Sequence, residues 1–322
     1  MFALARVLCL IGIAAWPGLL AAQEFPSRPV KFVVPYPAGG PADIMSRIIT
    51  EKMAAVLGQT IVIENRAGAG GLTGIAAVAK ADPDGYTVAI APCSMLSMAP
   101  NLRETMPFQP LKDLALITQL VSVPELLVVS DKLAASTVAE LVAVAKAQPG
   151  KLTFASTGIG GMPHLAMELL KLATRIDVVH LPYTGAAPAV NDLLGGHVQL
   201  MFADMPVLLG SVQSGKLRAL GIGSRKRAPN LPEVPTMAEL GLPQVEADNW
   251  YGLVAPIATP PAALAKLHKA TLEALHSAEV REKLAAQGAI AVGNSSAEFE
   301  AYVKSETERW GKVIAAAGIK IK

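Results

Sequence analysis

Short runs of β-branched and other apolar residues alternate along the chain with segments in which apolar residues recur every three or four positions. The first apolar run, residues 30–34, leads through a glycine-rich turn into a helical pattern over about residues 41–57. This alternation predicts an α/β fold of mostly parallel sheets flanked by helices. Further strands are predicted at residues 60–64, 86–91, 126–129, 152–155, 178–181, 199–202, 217–221 and 249–255, and further helices near residues 72–81, 138–147, 163–174, 186–194 and 207–213.

The length of the chain and two proline-rich segments, residues 228–235 and 259–261, predict two lobes. A chain of 322 residues is long enough for two domains. The last region, residues 262–322, is mostly helical, and because it lacks the strands for a sheet of its own it must pack onto the first domain. We therefore predict a discontinuous first domain (residues 23–124 and 250–322), a continuous second domain (residues 125–249) and two crossing strands that form a hinge.

The first 22 residues differ in pattern from the rest of the chain. Arg6 precedes an apolar run that is interrupted at Pro17 and ends in small residues before the polar Gln23. This layout is typical of a cleavable signal peptide, and the run is shorter than the ~20 apolar residues of a membrane-spanning helix. Removal of residues 1–22 leaves Cys93 as the only cysteine, so the mature chain can form no internal disulfide.

Charge and motif content exclude several function classes. The 28 Lys and Arg residues nearly balance the 26 Asp and Glu residues, and no strongly basic run occurs, which excludes a dedicated nucleic-acid-binding protein. The chain contains no G-x-S-x-G or H-E-x-x-H motif and no complete dinucleotide fingerprint, so it indicates no catalytic residue, metal or cofactor. The alternative is an α/β hydrolase with Ser156 as nucleophile and His164 as base.

Two loops with the same organisation are the candidate ligand-binding segments. Residues 35–40 connect a strand to a helix that opens at Pro41, and residues 156–161 connect a strand to a helix that opens near Pro163. Backbone amides at such helix N-termini bind carboxylates or phosphates, and in open α/β sheets these loops lie where ligands bind. Glycines are also what a tight turn requires, but their repetition in both halves favours binding of an anion between two lobes. Neither loop contains Lys or Arg.

A set of short motifs spans nearly the whole chain after the leader. The motifs are YPAGGPAD at residues 36–43, ENRAGAGG at 64–71, DPDGYT at 82–87, STG at 156–158, HLPYTGAAPA at 180–189, LLGGHV at 193–198 and NWYG at 249–252. Together they resemble the Bug family, the extracytoplasmic solute receptors of tripartite tricarboxylate transporters. The resemblance implies a two-lobed periplasmic binding-protein fold of the Venus-flytrap kind, a periplasmic location and a two-subunit membrane permease as partner. We expect a monomer that binds no nucleic acid.

The same resemblance implies which residues hold the ligand. Family members hold a ligand carboxylate through two loops of the first domain, and the second lobe completes the site. Three departures from the family pattern, at Ala42, Gly161 and Thr184, affect which acid is bound more than the mode of capture. Carried over by motif position, the ligand-binding residues are Tyr36, Ala38, Gly39, Gly40, Asp43 and Ser94 in the first lobe, and Ser156, Thr157, Gly160, His164, Tyr183, Gly185, Ala186 and Asp204 in the second.

Several of these residues have a second interpretation. Asp43 either caps free amides early in its helix or contacts the ligand. His164 either donates to a bound carboxylate or packs beside its loop, and Asp204 either caps the following helix or receives an amine of the ligand. Cys93 is interpreted as a small buried residue. The sequence thus predicts a periplasmic receptor, not an enzyme, that captures a small carboxylate; the alternative is a secreted hydrolase of a small carboxylic ester or amide.

Overall fold

The computed structural model describes residues 24–321, and the predicted leader, residues 1–22, lies outside this range. The predicted strands and helices are present with ends that agree to within about two residues, apart from one strand treated below. The strands are β1 (Val30–Val34), β2 (Ile61–Asn65), β3 (Thr87–Pro92), β4 (Leu114–Ser130), β5 (Thr153–Ser156), β6 (Val179–Pro182), β7 (Leu200–Asp204), β8 (Leu217–Ile222), β9 (Asp248–Pro256) and β10 (Ile290–Ala291). The helices are α1 (Pro41–Leu57), α2 (Leu72–Ala79), α3 (Ala99–Leu102), α4 (Pro110–Asp113), α5 (Val138–Ala147), α6 (Met162–Thr174), α7 (Ala186–Gly195), α8 (Met205–Gln213), α9 (Pro261–His276), α10 (Ala278–Ala286) and α11 (Ser296–Ala317).

The strands follow the order β2-β1-β3-β9-β4-β7-β5-β6, with β8 and β10 paired to β4. Two sets of strands are parallel, as expected: β1 pairs with β2 and β3, and β5 pairs with β6 and β7. We call the part built on β2-β1-β3 the first lobe and the part built on β6-β5-β7 the second lobe. The strands between these sets pair antiparallel to their neighbours.

Strand β4 is much longer than the four residues predicted for it. Its first half pairs with β9 as far as Pro124, and its second half pairs with β7 and β8 from Glu125 or Leu126 onward. Proline lacks a backbone donor and interrupts a ladder, so Pro124 suits the point where the pairing partner changes. One strand therefore links the two parallel sets, through β9 on one side and β7 on the other, into a continuous sheet. The domain limits at residues 124/125 and 249/250 stay predictions.

Helix α1 shows how the local sequence places the first loop. Met45, Ile49 and Met53 recur every four residues and are buried against the first lobe. Pro41 opens the helix, and Gly58, in the left-handed conformation at φ 67°, ends it. Both ends of α1 are therefore fixed by local sequence, and its N-terminus lies at the end of β1. Within residues 24–321, no helix is long and apolar enough to cross a membrane.

Strand β9 and helix α11 are in direct contact. Trp250 and Phe299 are fully buried and meet edge to face, with ring centroids 5.7 Å apart. Gly252 lies opposite the Phe299 ring, which occupies the space that a side chain at position 252 would need. The absence of a side chain thus allows the C-terminal helix to pack directly on a strand that runs between the lobes.

Substitution Gly252→Ala should lower the free energy of unfolding by about 1–3 kcal/mol, because the new methyl group overlaps the Phe299 ring. The matched control is Gly210→Ala in α8, where an added Cβ meets no atom within 4 Å and a gain of about 0.4–1 kcal/mol is expected. Urea unfolding of both variants measures the difference. Equal stability of the two variants would contradict the close packing of α11 on β9.

Candidate functional site

The loops that follow the parallel strands of both lobes meet beside β9. The Cys93 thiol, just after β3, donates to Asn249 Oδ1 of β9 at 3.0 Å. Asn249 Nδ2 in turn donates to both carboxylate oxygens of Asp204, at the end of β7, at 2.8 and 3.1 Å. One asparagine therefore joins the end of a first-lobe strand to the end of a second-lobe strand. The carboxyl ends of both parallel sets face each other there, which is where ligands bind in open α/β sheets.

The first loop, residues 35–40, is fixed by Asp43. Its Oδ2 accepts the amide of Gly39 at 2.9 Å, and Arg47 donates to both of its oxygens at 2.9 and 3.0 Å. Asn65, at the end of β2, donates to Asp43 Oδ1 at 2.9 Å and to the carbonyl of Tyr36 at 3.1 Å. Burial acts to raise the pKa of Asp43, but the hydrogen bonds from Arg47, Gly39 and Asn65 outweigh it and lower the pKa. Asp43 thus accepts the amide of Gly39 in the loop before the helix, and its contact with a ligand stays a prediction.

Tyr36 and Ser94 bring the two first-lobe loops together. The Tyr36 hydroxyl is hydrogen-bonded to Ser94, the first residue of a π-helical turn that follows β3, and burial raises the pKa of Tyr36. Cys93 is fully buried, as expected, and burial raises the pKa of its thiol well above the ordinary value. Ala38 is exposed in the first loop. The binding roles predicted for Tyr36, Ala38 and Ser94 stay predictions.

The second loop, residues 156–161, packs against two stacked histidine rings. Ser156 Oγ lies 2.6 Å from His180 Nε2 and accepts the amide of Gly158 at 3.2 Å, while His164 Nδ1 accepts the amide of Gly160 at 3.0 Å. The His164 and His180 rings stack with centroids 3.9 Å apart. His164 thus packs against its loop, which is one of its two expected roles. His180 was not predicted as a site residue, although it opens the HLPYTG motif.

Both histidines are neutral at neutral pH. Burial, together with the neighbouring His180 and Lys171, lowers the pKa of His164 to about 3. Burial and Lys171 also lower the pKa of His180 to about 4. The second loop is therefore supported by uncharged rings: His164 accepts the amide of Gly160, and His180 is hydrogen-bonded to the Ser156 hydroxyl.

The glycines of the two loops fall into two groups. Gly39 and Gly160 adopt left-handed φ angles of 81° and 77°, so the turns themselves require glycine there. Gly40, Gly161 and Gly185 cap helices α1, α6 and α7 in extended conformations that any residue adopts, without a side-chain hydrogen bond to the helix. An added Cβ would meet no atom closer than 3.5 Å at Gly40, 3.8 Å at Gly161 and none within 4 Å at Gly185. Turn geometry alone does not explain these three glycines, and they leave the helix N-termini without a side-chain cap.

The remaining predicted residues of the second lobe lie around the same loops. Thr157, Gly185 and Ala186 are partly exposed, and the Tyr183 hydroxyl donates to Asp192 at 2.6 Å. Burial and the hydrogen bond to Asp192 raise the pKa of Tyr183 to about 12.

Gly160, in contrast, packs between the lobes. A Cβ at this position would lie 2.5 Å from Leu102 of α3 and 3.0 Å from Ile321 near the C-terminus. A substitution at Gly160 would therefore disturb this contact whether or not a ligand approaches the loop.

Asp204 occupies the N-cap position of α8, but its side chain makes no capping hydrogen bond, so the interpretation of its carboxylate as a helix cap is wrong. Its carboxylate bonds to Asn249 and to the Tyr251 hydroxyl, at 3.3 Å, because β9 runs beside the end of β7. Glu125 lies directly across the β4–β7 ladder from it. Sequence reasoning missed Glu125 and Tyr251. The available signals were an acidic residue within a long apolar run and the NWYG motif.

Comparison with known proteins defines the family. The sequence profile of the tripartite tricarboxylate transporter family receptor, TctC, matches residues 45–319. The chain belongs to this family. Protein BugT of Bordetella pertussis is 39% identical over 322 residues, which cover 98% of this chain and 99% of BugT. The resemblance to the Bug family expected from the motifs is confirmed.

Solved structures confirm the two-lobed periplasmic binding-protein fold. The periplasmic binding protein BugD has a TM-score of 0.84 and 34% identity, over 92% of this chain and 100% of BugD. Rpa4515 of R. palustris with adipate has a TM-score of 0.87 and 33% identity, over 92% of this chain and 99% of Rpa4515. MatC from Rhodopseudomonas palustris with bound malate has a TM-score of 0.82 and 33% identity, over 90% of this chain and 100% of MatC.

The low pKa values of His164 and His180 predict that both rings stay neutral at pH 5.5 in the folded protein. The unfolded chain takes up these protons near the ordinary pKa of about 6.5, so the stability they contribute is lost as pH falls from there toward 4. Nuclear magnetic resonance of the histidine ring protons, with thermal unfolding between pH 7 and 4, checks both points. Protonation of either ring near pH 6.5 would contradict this description of the second loop.

Proposed function

We propose that this receptor captures a small carboxylate between its lobes in the periplasm and delivers it to a two-subunit permease of the tripartite tricarboxylate transporter type. The observation that carries the proposal is the set of three glycine-capped helix N-termini, at Gly40, Gly161 and Gly185, around the region where the lobes meet. Free amides at such termini bind anions, and a glycine cap lets a ligand approach the backbone closely.

The energetics require several helix ends to act together. One helix N-terminus contributes about 0.3–1 kcal/mol to anion binding, or ~2 kcal/mol when partly buried, and a hydrogen bond to a charged group about 1.5–3 kcal/mol. A single loop would hold a carboxylate weakly. Termini from both lobes, together with the Thr157 hydroxyl near Gly161, would reach the total that useful affinity requires.

The solved neighbours support a carboxylate ligand. Rpa4515 is described with adipate and MatC with malate, and each ligand carries two carboxyl groups. The two ligands differ in length and in hydroxylation, so they support a class of ligand rather than one acid. A small dicarboxylate fits two opposed sets of helix termini, because each carboxylate then meets its own lobe.

Capture would operate through the strands that cross between the lobes. A ligand that touches both lobes favours the closed arrangement, because only there do both sets of loops reach it. Strands β4 and β9 are the hinge in this proposal, and the contact of Gly160 with Leu102 and Ile321 belongs to the closed arrangement. The closed receptor is the form that the permease would recognise.

Within residues 24–321, the feature that favours the hydrolase alternative is the pair formed by Ser156 and His180. Ser156 is fully buried, and its hydroxyl oxygen is already bonded to the amide of Gly158. A nucleophile must reach the carbonyl carbon of its substrate, and a buried hydroxyl beneath the loop does not. The geometry therefore supports a structural role for Ser156 and binding without catalysis.

Adipate or malate should raise the melting temperature of the mature chain, residues 23–322, while the corresponding diamides should not. A ligand at 100 times its dissociation constant stabilises the folded state by about 2.7 kcal/mol, which shifts the melting temperature by several degrees. The measurement is differential scanning fluorimetry across a panel of small acids, on protein that has been unfolded and refolded to remove carried-over ligand.

Absence of a shift with every acid would contradict carboxylate capture. Turnover of a small ester that disappears in the Ser156→Ala variant would instead favour the hydrolase.

Substitution Gly185→Ala should weaken binding of the acid found in this panel roughly tenfold without lowering stability. The added methyl group enters open space in front of the α7 N-terminus, in a conformation that alanine adopts without strain. Calorimetric titration of the variant, with Gly210→Ala as the matched control on α8, measures the effect. Unchanged affinity in Gly185→Ala would remove α7 from the binding site.

A further inference from the structure

Two carboxyl groups lie side by side at the base of the region between the lobes. Glu125 of β4 and Asp204 of β7 are directly opposed in register, at a spacing that brings Cβ atoms to within about 4.5–5.5 Å. Glu125 is 0% exposed and Asp204 is 9% exposed. Two carboxylates this close and this poorly hydrated do not both ionise near neutral pH.

The hydrogen bonds divide unequally between the two groups. Asp204 accepts from Asn249 Nδ2 at 2.8 and 3.1 Å and from the Tyr251 hydroxyl at 3.3 Å. Burial raises the pKa of Asp204, and these hydrogen bonds oppose the rise by stabilising its charged form. Among the described residues, neither side-chain oxygen of Glu125 has a donor that reaches it. A buried carboxyl group without donors is favoured as the neutral acid, and the acid can donate its own proton to Asp204.

We infer that Glu125 carries a proton, which it shares with Asp204, and that capture of a carboxylate between the lobes requires this proton. The second half of the inference, that capture requires the proton, rests on the proposed function. The first half, that Glu125 is protonated, does not. With the proton present, the pair carries one negative charge that Asn249 and Tyr251 neutralise locally. Without it, the pair carries two.

Among residues 24–321, no cationic side chain interacts directly with the pair. Burial raises the pKa of Glu125 well above its ordinary value, and the charges of Asp204 and Asp248 raise it further. The nearby cation, Arg309, is bonded to both oxygens of Glu306 at 2.8 and 3.0 Å. The titratable groups that interact with the pair are Asp248 and Tyr251 of β9, Cys93 after β3 and Tyr36 after β1. Glu246, Glu306 and Arg309 interact with Asp248.

The position of the pair connects this proton to ligand capture. Asp204 ends β7 at the N-terminus of α8, and its charge raises the pKa of Tyr36, which lies in the first loop. A second negative charge here would repel a carboxylate held by that loop. It would also repel β7 from β4, the strand on which both lobes depend.

Infrared spectroscopy of the ligand-free protein at pH 8 tests the proton directly. The wild type should show the C=O stretching band of a protonated carboxyl group, and Glu125→Gln should lack it. Asp248, with a pKa raised by burial to about 6, is mostly ionised at pH 8 and does not account for the band. The matched control, Glu233→Gln, removes an exposed carboxyl group and should keep the band. Absence of the band in the wild type, or its survival in Glu125→Gln, overturns the inference.

A second variant covers the case in which Glu125→Gln does not fold. Asp204→Asn removes the neighbouring charge and keeps Glu125. In this variant the C=O band should be weaker at pH 8 than in the wild type, and it should disappear at a lower pH than in the wild type. An unchanged titration of the band in Asp204→Asn would show that the two groups do not share the proton, and would overturn the inference.

The role of the proton in capture is tested by calorimetric titration with adipate from pH 7 upward, where both adipate carboxyls stay ionised. Above the pH at which the band disappears, wild-type affinity should fall up to tenfold per pH unit, because binding then requires uptake of one proton. Affinity of Glu125→Gln should not change with pH. If wild-type affinity stays constant across the pH range in which the band disappears, ligand binding does not depend on the Glu125 proton, and the second half of the inference is overturned. A band without any binding of adipate or malate would instead overturn the proposed function.

Discussion

The side chain of Asn249 holds together the region on which the rest of the structure depends. Its amide nitrogen binds Asp204 at the end of a second-lobe strand, and its amide oxygen accepts from Cys93 at the end of a first-lobe strand. An amide is suited to this position because it donates and accepts at once without a charge of its own. The carboxyl ends of two separate sets of parallel strands are thereby fixed against one another, and the loops that follow them face a common space.

In the proposed function, this region recognises an anion mainly with neutral groups. The two loops contain no cationic side chain, His164 and His180 are neutral, and three helix N-termini are capped only by glycine. Arg47, the cation beside the first loop, is bonded to Asp43. A site of this kind binds a carboxylate through oriented amides, whose positions are set by the sheet, so the geometry of the ligand matters more than its charge. Such a site suits a family whose members are described with different acids.

Most of the fold and part of the site could be predicted from the sequence. The alternation of apolar runs and helical patterns defined nearly every strand and helix, and the family motifs identified the loops. Strand β4 was underestimated because Thr118, Gln119 and Pro124 break its apolar pattern, and only pairing with partners in both lobes makes it one strand. Of the two interpretations of Asp204, the capping of a helix by its side chain is a local preference that the neighbouring β9 overrides.

The sequence by itself determined the elements, the family and the glycine-rich helix N-termini, because these follow from local periodicity, local turn chemistry and contiguous motifs. Only the tertiary structure decided which side chains meet: Ser156 with His180, Gly160 with Leu102, and Glu125 with Asp204. Each of these pairs joins residues that are far apart in the chain or on different elements. Their interaction depends on strand register and on burial, and neither is encoded in the spacing of residues along the sequence.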